Sequence, residues 1–273
     1  MPSLAIQVGP HWPGYNEIKH LVIFGASYCQ TVGLSAHCVS ENGERFLEIP
    51  PPTFEQPLGV EFPGETYDGK APNWVGHLIS PPQPNPKLVY NYARSGDMVA
   101  EVGYQIEKMF LRDVTRKRSG WTALHKDNTL YFTWIGINDV ANASFNQSLK
   151  KLFEYQQKVY ENGGRNFVFI NHPPTHRVPS EYVRRNPKFM EMWNAALEEH
   201  AKEWALRYPD LTVMLYSSWD TFNRVLDEQD SSQSLNSFWM DDLHPTSEMH
   251  KIIAEDLEEL LVSLPPTYKS SAQ

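Results

Sequence analysis

Short apolar runs alternate with longer segments of helical periodicity along most of this chain, and that alternation limits its fold more than any other feature. Five runs have the length and the β-branched or aromatic content of buried strands: residues 21–24, 87–92, 130–135, 166–171 and 211–216. Between and after them lie helical patterns at 74–79, 96–112, 145–161, 187–208, 219–227 and 246–264. One face of 96–112 carries Val99, Val102, Ile106, Met109 and Phe110, and one face of 246–264 carries Ile252, Ile253, Leu257, Leu260 and Leu261. Asn162-Gly163-Gly164 closes one helix, and Pro173-Pro174 ends one strand. Strands that alternate with helices build a parallel sheet covered by helices on both faces.

No internal repeat and no linker divides the chain, so residues 1–273 are expected to form one domain. Two departures from regularity are expected. One is an irregular Pro- and Gly-rich excursion over about 41–73; the other is a frayed tail at 265–273. Long ordered loops in compact domains usually serve function. A hydrophobic content of 41% supports a real core. The net charge is −9, and no basic block stands out, which argues against nucleic acid as a partner. No run reaches the length of a membrane-spanning helix. The first twenty residues, interrupted by Pro2, Pro10 and Pro13, lack a signal-peptide core, so the chain as given reads as cytoplasmic, or as secreted if a leader was removed. Cys29 and Cys38 are too few for a disulfide framework and read as free thiols. Sequons at Asn142 and Asn146 carry little weight without a leader.

Polar residues stand where the strands end. Ser27 sits on a turn after Gly25 and Ala26. Asn91-Tyr92-Ala93-Arg94-Ser95-Gly96 follows the second strand, and Gly136-Ile137-Asn138-Asp139 the third. Asp241-Asp242-Leu243-His244-Pro245-Thr246 precedes the last helix. Ligands of open α/β sheets bind beyond the carboxyl ends of the strands, where these blocks lie. Singly, each reads as a cap or a turn.

Together, in this order, the four blocks resemble the SGNH or GDSL-type hydrolase superfamily, with Ser27, Gly96, Asn138 and His244 as its marker residues. Pro72-Asn73-Trp74-Val75-Gly76, Gly136-Ile137-Asn138-Asp139-Val140 and Leu243-His244-Pro245-Thr246 are similar to fungal carbohydrate-esterase-type acetylesterases. The sequence departs from the family at Ala26, where an Asp usually precedes the nucleophile. The resemblance implies a three-layer α/β/α, flavodoxin-like sandwich on a five-stranded, mostly parallel sheet. It also implies an esterase that needs no cofactor and no metal.

Acyl transfer needs an activated hydroxyl, a base, a group that orients the base and donors for the oxyanion. Ser27 would attack the ester carbonyl, and His244 would take its proton and return it to the leaving alcohol. Asp241 and Asp242 both lie close enough to orient His244, and the family pattern Asp-x-x-His selects Asp241. The oxyanion donors would be the Ser27 and Gly96 amides and the Asn138 side chain. Asp139 reads as a loop cap. Tyr28, Trp74 and Trp239, with Ile137 in the third block, are the candidate substrate contacts, although core packing explains aromatics equally well. Arg94 and Asp97 flank Gly96 and could touch substrate or each other. His172 and His176 are four apart, but the prolines between them break a helical metal-ligand spacing. The expected substrate is a small ester or an acetylated carbohydrate, with the long excursion roofing a small acyl pocket. The alternatives are a lipase, phospholipase or thioesterase of longer acyl specificity, and an inactive binding protein that kept the fold.

Overall fold

The computed structural model describes residues 2–32, 37–39, 45–47, 51–80, 86–117, 120–140, 145–181, 184, 186–228 and 238–267. Its strands are β1 (Leu4–Gln7), β2 (His20–Gly25), β3 (His37–Val39), β4 (Arg45–Leu47), β5 (Leu88–Asn91), β6 (Thr129–Trp134), β7 (Asn166–Ile170) and β8 (Thr212–Tyr216). Its helices are α1 (Trp74–Ile79), α2 (Val99–Tyr104), α3 (Leu111–Thr115), α4 (Phe145–Glu161), α5 (Pro187–Arg207), α6 (Ser218–Glu228) and α7 (Ser247–Ser263). A π-helical stretch, Gln105–Phe110, joins α2 to α3.

Six strands pair in the order β1-β8-β7-β6-β2-β5. The five from β8 to β5 are parallel, as the alternating pattern predicts. They read as continuous apolar runs because both faces are covered. Successive residues face opposite layers. Val22, Phe24, Tyr131, Phe167, Phe169, Val213 and Leu215 pack with α2, the π stretch, α4 and α5. Leu21, Ile23, Leu130, Phe132, Val168, Ile170 and Met214 pack with α1, α6 and α7. The result is the expected α/β/α sandwich.

Three expectations need correction. The sheet has six strands rather than five. The sixth, β1, lies antiparallel on the outer edge of β8, with Leu4 opposite Leu215. Four residues between Pro2 and Pro10 carry little local signal, and this strand exists because β8 offers an open edge to pair with. The excursion is also not wholly irregular, since β4 lies in it and pairs antiparallel with β3. Finally, the tail is tied down as far as Thr267, whose amide donates to the Trp12 carbonyl at 3.0 Å and whose hydroxyl donates to the Gly9 carbonyl at 2.7 Å. Residues 268–273 and Asn142 fall outside the described set.

Topology positions the site. Strand β2 lies between β5 and β6 and is parallel to both, with Ile23 level with Asn91 on one side and Phe132 on the other. The chain leaves β2, pairs on one flank with β5, then crosses to the other flank with β6. The loops after these three strands therefore emerge side by side at one edge, at the switch point where such sheets bind ligands.

Gly136 and Gly96 differ in what they must avoid. Gly136 has φ 120°, and a Cβ there would stand 2.5 Å from the Trp193 ring. Gly96 has φ 81°, but its Cβ would meet nothing within 4 Å. Gly136→Ala is therefore expected to lose about 2–4 kcal/mol of stability, from overpacking and a strained φ together. Gly96→Ala should lose only about 1–2 kcal/mol, from φ alone. Urea unfolding midpoints of the two variants check that order.

Candidate active site

Strand β2 ends at Gly25, and the chain turns at once. The Cys29 amide donates to the Ala26 carbonyl at 3.0 Å and the Gln30 amide to the Ser27 carbonyl at 3.3 Å. The Ala26 methyl points into the apolar layer beside Val22 and Phe24, which suits an alanine where the family usually has an aspartate. Ser27 is left on the outside of the turn. Its Oγ lies 3.0 Å from His244 Nε2.

His244 is carried on a tight loop before α7. The Met240 amide donates to the His244 carbonyl at 2.8 Å, and the Thr246 amide donates to the Phe238 carbonyl at 3.0 Å. Asp241 organises the loop from within. Its Oδ1 accepts the Leu243 and His244 amides at 2.8 and 2.6 Å, and its Oδ2 lies 2.8 Å from His244 Nδ1. An ionised carboxylate only accepts, so Nδ1 carries the proton and Nε2 is free to accept from the Ser27 hydroxyl. It is Asp241, not its neighbour Asp242, that stands on the imidazole. Burial pushes the Asp241 carboxyl up, but its two amide donors and His244 more than offset this, so it stays below its ordinary value. Burial dominates at His244 and holds the imidazole below its ordinary value despite Asp241.

The second and third loops are tied to the same turn. The Arg94 amide donates to the Gly25 carbonyl at 3.2 Å. The Ser95 amide donates to Gln30 Oε1 at 2.7 Å. Asn138 Nδ2 donates to the Asp97 carbonyl at 2.8 Å, which uses one of its two protons and leaves the other free to serve elsewhere. Asp139 caps α2, its Oδ1 accepting the Val99 amide at 3.1 Å. Burial raises its carboxyl to about 6. Arg94 and Asp97 pair with each other at 2.9 Å.

A turn-borne serine, an imidazole held by a carboxylate three residues upstream, and glycine and asparagine on the flanking loops are a constellation suited to acyl transfer. A model of the family described as GDSL-like lipase/acylhydrolase matches residues 21–257. The chain belongs to the GDSL-like lipase/acylhydrolase family. It is by that membership a carboxylic ester hydrolase. An acetylesterase of Thermothelomyces thermophilus is 27% identical in an alignment that covers 87% of this chain and 86% of that one. Among solved structures, the acetylxylan esterase Axe2 of Geobacillus stearothermophilus superposes with a TM-score of 0.55 at 13% identity, covering 92% of this chain and 97% of that one. A lipolytic G-D-S-L family protein of Veillonella parvula superposes at 0.53 with 14% identity, covering 90% and 100%.

Three of the expected substrate contacts of this acylhydrolase need revision. Tyr28, Trp74 and Trp239 are only 2%, 0% and 4% exposed and present no face to a ligand. Trp74 packs edge-on against Phe132. Trp239 lies against Phe222. The Tyr28 hydroxyl donates to the Leu243 carbonyl at 2.6 Å, so its work is to brace the loop that bears His244. Ile137 stays half-buried beside Asn138. Asn73, in the block that resembles acetylesterases, caps α1 through the Val75 amide and donates to the Gln30 carbonyl at 2.8 Å. Cys29 is a buried free thiol, and the Cys38 side chain lies outside the described set. Among the described residues, no three His, Cys, Asp or Glu side chains gather as a metal site, and no helix is long and apolar enough to cross a membrane.

Two residues that touch this constellation are missing from the sequence reading. Gln105 is buried at the start of the π stretch. Its Oε1 accepts the Gly25 amide at 3.0 Å, and its Nε2 donates to the Gly25 carbonyl and to Asp97 Oδ2, each at 2.8 Å. One amide thus clamps the end of β2 to the Gly96 loop. The available signal was a glutamine on the apolar stripe of Val102, Ile106 and Met109. The other is Tyr67, whose ring stacks on His244 with centroids 3.5 Å apart and planes 15° from parallel. Nothing in the spacing of the excursion marks it. Gln105→Leu would leave the Gly25 amide without its acceptor and take one donor each from the Gly25 carbonyl and Asp97, and is expected to lower stability by about 1–3 kcal/mol. Chemical denaturation of the variant against wild type measures the loss.

Proposed function

We propose that this ester hydrolase removes short acyl groups, acetyl above all, from carbohydrates or related alcohols. What carries the reading is the continuous line from Ser27 Oγ to His244 Nε2 at 3.0 Å and from His244 Nδ1 to Asp241 Oδ2 at 2.8 Å. In the first half-reaction the Ser27 oxygen adds to the ester carbonyl as its proton passes to Nε2. The carbonyl electrons move onto the oxyanion, which the Ser27 and Gly96 amides and the second Asn138 proton would receive. Each such donor contributes about 3 kcal/mol in the transition state. When the intermediate collapses, the alcohol leaves with the proton from Nε2, and Ser27 is left acylated. Water then repeats the steps, releases the acid and restores Ser27. Asp241 stays ionised throughout and steadies the imidazolium.

The acetyl preference draws support from the relatives, one an acetylesterase and one an acetylxylan esterase. In the latter, the catalytic mutants replace a serine, an aspartate and a histidine, the three residue types assembled here. The excursion also brings Tyr67 down over His244, consistent with a covered, small acyl site. The reading treats residues 1–273 as one domain.

Acetate release from acetylated sugars and p-nitrophenyl acetate is expected to fall by more than a thousandfold in Ser27→Ala, a loss on the scale of about 10⁴ or more for such a nucleophile. Rates on p-nitrophenyl esters should drop steeply beyond butyrate. A flat or rising series would instead assign a lipase-like specificity, and an absence of fluorophosphonate labelling at Ser27 would assign a binding protein.

The pH profile has a defined direction. His244 must be neutral to act as base, and burial lowers its affinity for protons. The acid limb of kcat/KM should therefore be centred below about 6.5, the ordinary imidazole value, with activity rising from acid towards neutral pH. Initial rates between pH 4 and 8 test it, and a limb above that value contradicts the buried imidazole.

A further inference from the structure

The geometry points to Tyr67 as a positioning residue for His244, delivered by the Pro- and Gly-rich excursion to hold the imidazole by its face as Asp241 holds it by its edge. The inference rests on the esterase reading and adds a residue outside its triad and oxyanion donors. Four observations converge. The two rings are nearly parallel, 15° apart, with centroids at 3.5 Å, so the phenol covers one face of the imidazole. The Tyr67 hydroxyl lies 2.9 Å from Ser95 Oγ, next to Gly96, so one side chain bridges the base and the Gly96 loop. Tyr67 is still 39% exposed, so core burial does not account for its place.

The segment around Tyr67 is also fixed at both ends to the catalytic loops. The Glu65 amide donates to the Thr31 carbonyl at 2.9 Å, just after the nucleophile turn. Asp68 Oδ2 accepts the Ser247 amide at 2.7 Å, and Ser247 Oγ donates to the Pro72 carbonyl at 2.6 Å, just after His244. The Thr66 hydroxyl closes the tip on the Ala71 carbonyl at 2.6 Å. These bonds tie the loop to the segments that follow Ser27 and His244.

The chemistry follows from the quadrupole of the ring. Its face is electron-rich and attracts a cation lying over it. His244 is neutral while substrate binds and becomes imidazolium as the Ser27 proton arrives. The attraction therefore grows on the way to the transition state, and an interaction of that kind raises kcat without tightening KM. The ring also limits tilting of the imidazole about its bond to the Asp241 carboxylate, which keeps Nε2 directed at Ser27.

The test compares wild type with Tyr67→Leu, Tyr67→Phe and Ser95→Ala, using p-nitrophenyl acetate turnover and the second-order rate of Ser27 labelling by a fluorophosphonate. Tyr67→Leu is expected to lose about tenfold in kcat, the scale of one cation–π contact, with KM changed less than about twofold. Labelling should fall in parallel, because the same base activates Ser27. Tyr67→Phe keeps the face and should stay within about threefold of wild type, as should Ser95→Ala. If Tyr67→Leu retains wild-type kcat, or if the loss lies wholly in KM, Tyr67 does not position the base. If Tyr67→Phe is as impaired as Tyr67→Leu, the stack is not the cause. Should Tyr67→Leu melt below the assay temperature, Tyr67→Trp supplies the comparison: a broader face is expected to match Tyr67→Phe, and a collapse of kcat in a folded Tyr67→Trp overturns the proposal. A wild type that neither turns over the ester nor takes the label would sink the esterase reading itself, whereas an active wild type with an unaffected leucine variant sinks only this inference.

Discussion

Everything at the edge that carries Ser27 depends on β2 lying between β5 and β6 with all three strands running the same way. Parallel pairing puts the ends of these strands at a common level, so the loops that follow open onto one shared space. The serine turn leaves β2, the Gly96 loop leaves β5 and the Asn138 loop leaves β6. No long side chain has to span the sheet. What remains is to bring the histidine from far along the chain, and this falls to the loop before α7, a helix packed in the same layer as α1.

Short polar contacts then remove the remaining slack. Asp241 uses one oxygen for two backbone amides and the other for the imidazole, so the loop that carries His244 is built by the same carboxylate that holds its ring. Gln105 does the corresponding work at the Ser27 end by bonding both backbone groups of Gly25. Such buried networks are valuable when complete and costly when broken. Loss of any one of their residues therefore costs stability.

Much of this was legible in the chain itself. The parallel core showed as five apolar runs, because strands covered on both faces lose the alternation of an exposed sheet. One helix limit showed through its breaking residues, since Asn162-Gly163-Gly164 closes α4. The meeting of Ser27, Asp241 and His244 was legible because the motifs that carry them sit on local turns. Strand β1 was not, since its partner β8 lies some two hundred residues away and its own four residues lack a decisive pattern. The roles of the aromatics were not legible either. Tyr28, Trp74 and Trp239 share the composition of a ligand platform and of a core, and only burial separates the two. Tyr67 was invisible for the opposite reason, because an irregular segment has no period from which to infer what its tip will meet.

The bond between Thr267 and the Gly9–Trp12 stretch has a consequence for the molecule's topology. Because β1 runs against its neighbour, its far end and Gly9 reach the side of the sheet away from Ser27. The first and last described segments thus meet there. A change made at that junction therefore acts on the sheet from the rim that does not carry Ser27 and His244.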